Sequence, residues 1–138
     1  MSIGYFVFMA RSYRQKSCPV ARSLDIIGER WTILLLRDLF LQGPRRFQDF
    51  QESLAGVAPN TLSARLKAME EHGLIARRAY SEHPPRLEYH LTEKGKSLGP
   101  VLKALREWGR HQLMQTCKFG KSLILSEGND WPNTLPGD

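Results

Sequence analysis

The residues best suited to specific chemistry in this chain form a small polar face near its middle. The run from Pro59 to Gly73 begins with proline and ends with glycine, which is typical of a first helical position and a left-handed C-terminal cap. At helical spacing Leu62, Leu66 and Met69 form one apolar stripe, so polar side chains occupy the opposite face. Such side chains could hydrogen-bond to the base edges or phosphates of a nucleic acid. The outward face contains Asn60, Ala64, Lys67 and Glu71, with Thr61 and Ser63 beside them.

A basic β-hairpin is predicted immediately after this helix. Residues 74–81 carry β-prone side chains mixed with Arg77 and Arg78, residues 83–85 break the chain, and residues 86–91 alternate apolar and polar side chains. A helix followed by a basic hairpin is typical of a winged helix. We therefore expect a mainly α protein with a small β-hairpin, namely a winged helix-turn-helix domain with N- and C-terminal dimerisation helices.

The predicted helix would present its first turns to the bases if it entered a DNA major groove. Asn60 is then the main candidate for reading a base, with Thr61 and Ser63 beside it. Ala64 would permit a close approach to the DNA. Lys67 is expected to contact a phosphate, which adds affinity more than sequence preference.

Arginines elsewhere in the chain would add contacts around this helix. Arg65 lies at the edge of the buried stripe, where it would meet either the DNA backbone or the hairpin. Arg86 follows two prolines and is expected to project into a minor groove, where negative potential concentrates. The remaining candidates for phosphate contacts are Arg45, Arg46, Arg78 and His83. The alternative interpretation is that these side chains form an ordinary solvated surface.

Length and charge fit one domain with a polyanionic partner. Twenty Lys and Arg against 14 Asp and Glu give the 138-residue chain a net charge of +6. We assign residues 1–17 to a flexible extension, 18–116 to the DNA-binding and dimerisation domain, and 117–138 to an irregular tail. The apolar segment 3–10 is too short to span a bilayer and basic residues follow it, so no membrane partner is expected.

Three further helices are expected to position the polar face. The first begins at Pro19 and ends at Gly28. Residues 31–41 are apolar on nearly all sides and should form the central helix of the core. A short helix over 47–54 and the helix that begins at Pro59 would then form a helix-turn-helix pair, whose second member is the recognition helix.

Two terminal helices carry apolar stripes that this core does not need. The predicted core contains Ile33, Leu36, Leu39, Phe47, Leu62, Leu66 and Leu74. A second copy of the chain is the expected partner of the stripes, because symmetric dimers are the commonest oligomers and match two-fold operators with half-sites roughly 34 Å apart. The alternative is that both helices fold back on their own domain. The residues predicted to form the dimer are Val20, Leu24, Ile27, Leu98, Val101, Leu102, Leu105 and Trp108.

Cys18 is a candidate redox-sensing residue. As the N-cap of a helix that begins at Pro19, its sulfur would lie near unpaired amides and the positive end of the helix dipole, which favours the thiolate. Alkylation or oxidation there would disturb the first helix, with Cys117 as a candidate resolving thiol. The alternative is a small buried residue. Two distant cysteines fit no disulfide scaffold, so a reducing cytoplasm is expected.

Seven motifs in this order resemble the HxlR-type family of bacterial transcriptional regulators, relatives of the MarR type. They are Cys18-Pro19-Val20, residues 27–32, 43–47, 59–66, 73–75, 84–89 and 91–95. The resemblance implies a dimeric winged-helix protein, expected here to repress, that binds palindromic operators. In several members a cysteine near the N-terminus senses electrophiles, disulfide stress or oxidants. Ala58 departs from the pattern, since many members place a Ser or Thr helix cap there.

Other classes of function fit the residues less well. A Cys-His catalytic pair would need an oxyanion loop and an orienting acid, and neither is arranged around the histidines, so no catalytic residue and no enzyme activity is expected. The histidines also lack metal-ligand spacing, and we expect no metal or cofactor. A ligand-responsive regulator, with a small molecule near Trp31 and Trp108, and a winged helix used for protein contacts alone remain alternatives.

Overall fold

The computed structural model describes residues 17–117, with side chains for 17–115. Most of the predicted extension and tail, residues 1–16 and 118–138, lies outside the described residues. Within the described part the chain forms six helices and one antiparallel hairpin. These elements are α1 (Pro19–Ile27), α2 (Arg30–Gln42), α3 (Phe47–Ser53), α4 (Pro59–Glu71), β1 (Ile75–Glu82), β2 (Pro85–Leu91), α5 (Glu93–Lys96) and α6 (Gly99–Cys117).

Local signals set the ends of α1 and α4. Cys18 is the N-cap of α1 and Gly28 its C-cap, as predicted. The recognition helix α4 begins at Pro59 with Ala58 as an N-cap that makes no side-chain hydrogen bond. Gly73 follows the helix with φ +73°, a left-handed conformation that glycine adopts at little cost. The predicted proline and glycine boundaries are confirmed.

The core is built around α2, α3 and α4. From α2, Leu35, Leu36, Leu39 and Phe40 are buried, which confirms this helix as the central one. Phe50 of α3 joins them, and Leu62, Leu66 and Met69 of α4 close the core, together with Leu74, Ile75 and Leu102. Ile33 and Phe47 are only half-buried and pack against this cluster. The apolar stripe of α4 therefore attaches the recognition helix to the domain.

The hairpin has an irregular register. Ile75 pairs with Leu91 at its base and Glu82 with Pro85 at its tip, and a β-bulge lies between Ala79 and Ser81. The peptide bond between His83 and Pro84 at the tip is cis.

An isolated bridge between Arg45 and Tyr89 adds a third backbone segment beside β2. Tyr89 N–H donates to Arg45 O over 2.7 Å, and Arg45 N–H donates back over 2.9 Å. The segment that leads into α3 is thus joined to the hairpin.

The residues after β2 hold the C-terminal end of α4. The Thr92 hydroxyl donates to Gly73 O and accepts the Gly95 N–H over 3.1 Å. Lys94 Nζ donates to His72 O over 2.8 Å. Because the last carbonyls of a helix lack partners within the helix, these bonds stabilise its end. Thr92 is the N-cap of the short α5, and α6 follows as a separate helix.

The terminal helices contribute more to their own domain than predicted. Leu102 is 3% exposed and lies in the core, and Ile27 and Leu98 pack against it. The prediction that the core closes without them is wrong for these three residues, because α6 contacts α2 and inserts Leu102 into the core, while Ile27 of α1 and Leu98, just before α6, pack against the same cluster. The large apolar side chains left exposed on the two helices are Val20, Leu24, Val101, Leu105, Trp108, Leu113 and Met114.

Candidate nucleic-acid interface

The polar face of α4 points away from the core. The side chains predicted to approach DNA from this helix are exposed, whereas the stripe of Leu62, Leu66 and Met69 is buried. Lys67 forms no ion pair within the described part of the chain, so its charge is available to a phosphate. The exposed set contains Asn60, Thr61, Ser63, Ala64 and Lys67.

Arg65 occupies the edge of the buried stripe, where it forms an ion pair that the sequence did not indicate. Its Nη1 lies 3.5 Å from Oε1 of Glu29, the N-cap residue of α2. The Arg65 side chain is only 21% exposed. A DNA contact by Arg65 would therefore have to compete with this ion pair.

Carboxylates also engage the arginines of β1. Arg78 Nη2 lies 2.9 Å from Glu88 Oε1 on the neighbouring strand, and Arg77 Nε lies 3.0 Å from Glu70 Oε1 on α4. Exposed pairs of this kind contribute roughly 0–1 kcal/mol each, so a phosphate could displace them at small cost. The arginines of the hairpin therefore differ before DNA binds. Arg77 and Arg78 are paired with carboxylates, whereas Arg86 has no carboxylate partner among residues 17–117.

Arg45 is directed inward, unlike its neighbour Arg46. Its side chain is 19% exposed, and Nη2 donates to Asp49 O over 3.2 Å and lies 4.0 Å from Asp38 Oδ2. The phosphate contact predicted for Arg45 does not fit this arrangement. The cause is Asp38, a buried carboxylate on α2 that also accepts hydrogen bonds from Arg37 and Ser53.

Sequence reasoning missed Asp38, although a signal was present. An acidic residue in the middle of the apolar run 31–41 needs a buried partner, because an unpaired carboxylate in a core is costly.

Arg46 lies at the surface, near Tyr80, which is the second residue that the sequence did not single out. Its backbone N–H donates to Asp49 Oδ2 over 2.9 Å, and its Nη2 lies 3.3 Å from Asp49 Oδ1. Hydrogen bonding from the Arg46 side chain keeps the pKa of Asp49 below its usual range. The Arg46 guanidinium, and less strongly that of Arg86, lowers the pKa of the Tyr80 hydroxyl. No periodicity marks Tyr80, because the bulge that places it is not visible in the pattern of β1.

Cys18 is free and half-buried at the start of α1. Its carbonyl accepts the Arg22 N–H over 3.0 Å, and its side chain makes no capping hydrogen bond. The Cys18 thiol therefore accepts no hydrogen bond from the backbone N–H groups of α1. Cys117 ends α6, and its side chain lies outside the described ones.

The described residues contain neither a metal-binding cluster nor a membrane-spanning helix. Across residues 17–117 no group of three or more His, Cys, Asp or Glu side chains could hold a metal ion. None of the described helices is both long enough and apolar enough to cross a bilayer.

A comparison with known families decides the class of this fold. A model described as HxlR-like helix-turn-helix matches residues 26–117. The chain belongs to this family. As an HxlR-type regulator it is a winged helix-turn-helix transcriptional regulator that binds DNA and not an enzyme, which confirms the predicted family, winged-helix fold and type of activity. The dimerisation role predicted for the terminal helices stays a prediction.

Individual relatives of this HxlR-type regulator agree with that assignment. An uncharacterised HTH-type transcriptional regulator, sll1512 of Synechocystis sp., is 41% identical over 112 residues, which cover 80% of this chain and 81% of that protein. The crystal structure of PA1607, described as a transcription factor, is 42% identical with a TM-score of 0.66 and covers 85% of this chain and 74% of its own. The redox regulator HypR in its oxidised form is 34% identical with a TM-score of 0.63 and covers 68% and 96%.

Proposed function

We propose that this HxlR-type regulator is a cytoplasmic homodimeric repressor that binds a palindromic operator through α4 and the hairpin and responds to thiol modification at Cys18. The observation that carries the DNA-binding mode is the outward polar face of α4, with Lys67 unpaired within the described chain. Selection of bound sequences from a random DNA pool, with and without a thiol oxidant, tests the target and the response together.

The residues of the interface divide into two roles. Asn60, Thr61 and Ser63 lie on the first turns of α4 and are proposed to contact base edges, while Ala64 lets the helix approach. Lys67 is proposed to contact a phosphate. The proposed backbone contacts from outside α4 come from Arg86, which has no carboxylate partner in the described chain, and more weakly from Arg46, Arg65 and Arg78, which are already paired.

Exchanging Lys67 for Ala is expected to weaken binding about fivefold to tenfold at 0.1 M salt on every DNA sequence, because one phosphate contact and its counterion release are lost. The slope of log affinity against log salt should fall by about one unit. Titrations of labelled DNA at several salt concentrations measure both quantities. Lys103→Ala removes an equal charge from an exposed site on α6 and should leave the slope unchanged.

Exchanging Asn60 for Ala is expected to weaken binding to the selected operator by about 1–3 kcal/mol, because a base contact is lost. Binding to random DNA should change little. The same titrations on operator and random duplexes give the ratio of the two affinities. Equal losses on both duplexes would count against a base-reading role for Asn60.

The proposed dimer rests on the apolar residues that the domain leaves uncovered. Val20, Leu24, Val101, Leu105 and Trp108 are exposed, and Trp108 retains 67% of its accessible surface. Val101, Leu105 and Trp108 recur at spacings of four and three, so they form one stripe along α6. Large exposed apolar patches are typical of interaction sites, and a second copy of the chain supplies a matching stripe by two-fold symmetry.

Thiol sensing at Cys18 is supported by the position of this residue and by the relative HypR, which is a redox regulator. Mild oxidation of the wild type is expected to lower operator affinity about 5- to 150-fold, the usual range of coupling between two sites. Cys18→Ser should keep its affinity after oxidation, whereas Cys117→Ser shows whether the second thiol takes part. Gel shifts before and after oxidation and after reduction measure the effect.

An equal loss in oxidised Cys18→Ser would remove the thiol from the mechanism. The ligand-responsive regulator would then be the better account of how DNA binding is controlled.

A further inference from the structure

Glu29 and Arg65 form an ion pair between the start of α2 and the recognition helix. Arg65 Nη1 lies 3.5 Å from Glu29 Oε1, and the Arg65 and Glu29 side chains are 21% and 41% exposed. Glu29 is the N-cap residue of α2, yet its side chain makes no capping hydrogen bond with that helix. The Glu29 carboxylate therefore engages a guanidinium of another helix and not the amides of its own.

Arg65 lies beside the part of α4 that is proposed to enter the major groove. Side chains on a helix lean toward its N-terminus, so the Arg65 side chain covers the turn that contains Thr61, four residues earlier. Thr61 is exposed. A guanidinium at this edge could bind a backbone phosphate through several N–H donors. Glu29 holds that guanidinium before the DNA arrives.

The other paired arginines on α4 and the hairpin are held less closely. Arg77 and Arg78 each pair with a carboxylate, but their side chains are 53% and 61% exposed. Their remaining donors can meet a phosphate while the ion pair persists. Arg65 is much less exposed, and a partly buried ion pair is screened less than an exposed one. A phosphate would therefore have to replace Glu29, which would bring a displaced carboxylate close to the negatively charged backbone.

We propose that Glu29 is an affinity-determining residue, whose carboxylate competes with the DNA backbone for Arg65 and thereby limits binding to every DNA sequence. The proposal rests on the DNA-binding function proposed above and gives a reason for the weak contribution of Arg65 to it. Because the competing groups are a carboxylate and a phosphate, the effect carries no sequence preference. It lowers the affinity for the operator and for random DNA by the same factor.

Exchanging Glu29 for Gln keeps the shape of the side chain and removes its charge. Affinity for the selected operator and for random DNA is expected to rise about threefold to tenfold at 0.1 M salt, because Arg65 gains a phosphate contact. The slope of log affinity against log salt should become steeper by about one unit. Glu93→Gln is the matched control, because it also removes a carboxylate that pairs with a cation, Lys96, and it should change neither quantity.

Exchanging Glu29 for Ser tests the same charge with a different side chain. Serine is a preferred N-cap residue, so this variant should keep the start of α2 intact. The same rise in affinity and in salt slope is expected. Thermal unfolding of both Glu29 variants reports whether the fold is intact.

A double-mutant cycle separates the release of Arg65 from a general change in charge. In a chain that already carries Arg65→Gln, Glu29→Gln should change affinity less than about twofold, because no guanidinium remains to be released. Two charges that act independently would instead give the same factor in both backgrounds. Operators with single methylphosphonate substitutions should identify a phosphate whose neutralisation weakens Glu29→Gln more than it weakens the wild type.

The outcomes distinguish this inference from the function on which it rests. Wild-type protein that binds no DNA would overturn the proposed function. If the wild type binds DNA and both folded Glu29 variants bind with the same affinity and salt slope, the inference alone is wrong. A gain from Glu29→Gln that is equally large with and without Arg65 would also overturn it, because the carboxylate would then act on the DNA directly.

Discussion

Exchanging Trp108 for Arg is expected to convert the proposed dimer into a monomer and to lower affinity for the proposed palindromic operator by about 100-fold or more. Trp108 is 67% exposed at the C-terminal end of the stripe that it forms with Leu105 and Val101. Placing a charge there would require burying it against its own symmetry copy, which a dimer interface does not tolerate. Each protomer would then bind one half-site alone, and the gain from linking two binding modules, on the order of 10²- to 10⁴-fold, would be lost.

Sedimentation at DNA-binding concentrations measures the oligomeric state, and gel shifts on full and half operators measure the affinities. Arg110→Ala lies two residues further along α6, on its other side, and should remain dimeric. Binding of Trp108→Arg to a single half-site should be nearly unchanged. A wild-type protein that is monomeric under these conditions, or a Trp108→Arg variant with full operator affinity, would contradict the dimer.

Exchanging Gly95 for Ala is expected to lower the free energy of unfolding by about 3 kcal/mol. A Cβ atom at this position would lie 2.1 Å from Leu74 O and 3.1 Å from Leu91 Cδ2. The closer contact is with backbone, so relief requires movement of the segment between α4 and β1. That movement would also disturb the hydrogen bonds of Thr92 at the end of the recognition helix.

Urea unfolding of the two proteins gives the difference in free energy. Lys96→Ala changes the same short helix at a surface ion pair with Glu93 and should alter stability by less than about 0.5 kcal/mol. An unchanged unfolding midpoint for Gly95→Ala would show that the close approach to Leu74 O does not constrain the fold.

Much of the scaffold could be predicted because its signals are local. Proline at the start of α1 and α4 and glycine just beyond their ends mark both helices. The spacing of Leu62, Leu66 and Met69 determines which side of α4 is buried, and hence that Asn60 and Lys67 face outward.

Which arginines are buried, and which carboxylate each one pairs with, could not be predicted from such local signals. Arg45 and Arg46 are adjacent and chemically identical, yet Arg45 turns inward toward Asp38 and Arg46 stays at the surface with Asp49. Arg65 meets Glu29 across an interface between two helices that are far apart in sequence. Helical and strand periodicity indicate which face of an element is buried, but they do not indicate which other element packs against that face.

The amino-acid sequence alone determined the family, the order of the helices and hairpin, and the outward face of the recognition helix, because these depend on interactions between residues close along the chain. Only the tertiary structure decided that Leu102 belongs to the core, that Arg45 is not a surface cation, and that Tyr80 has no pairing partner in β2. Each of these depends on contacts across large sequence separations or on a bulge that shifts the strand register, and neither leaves a periodic signal in the sequence.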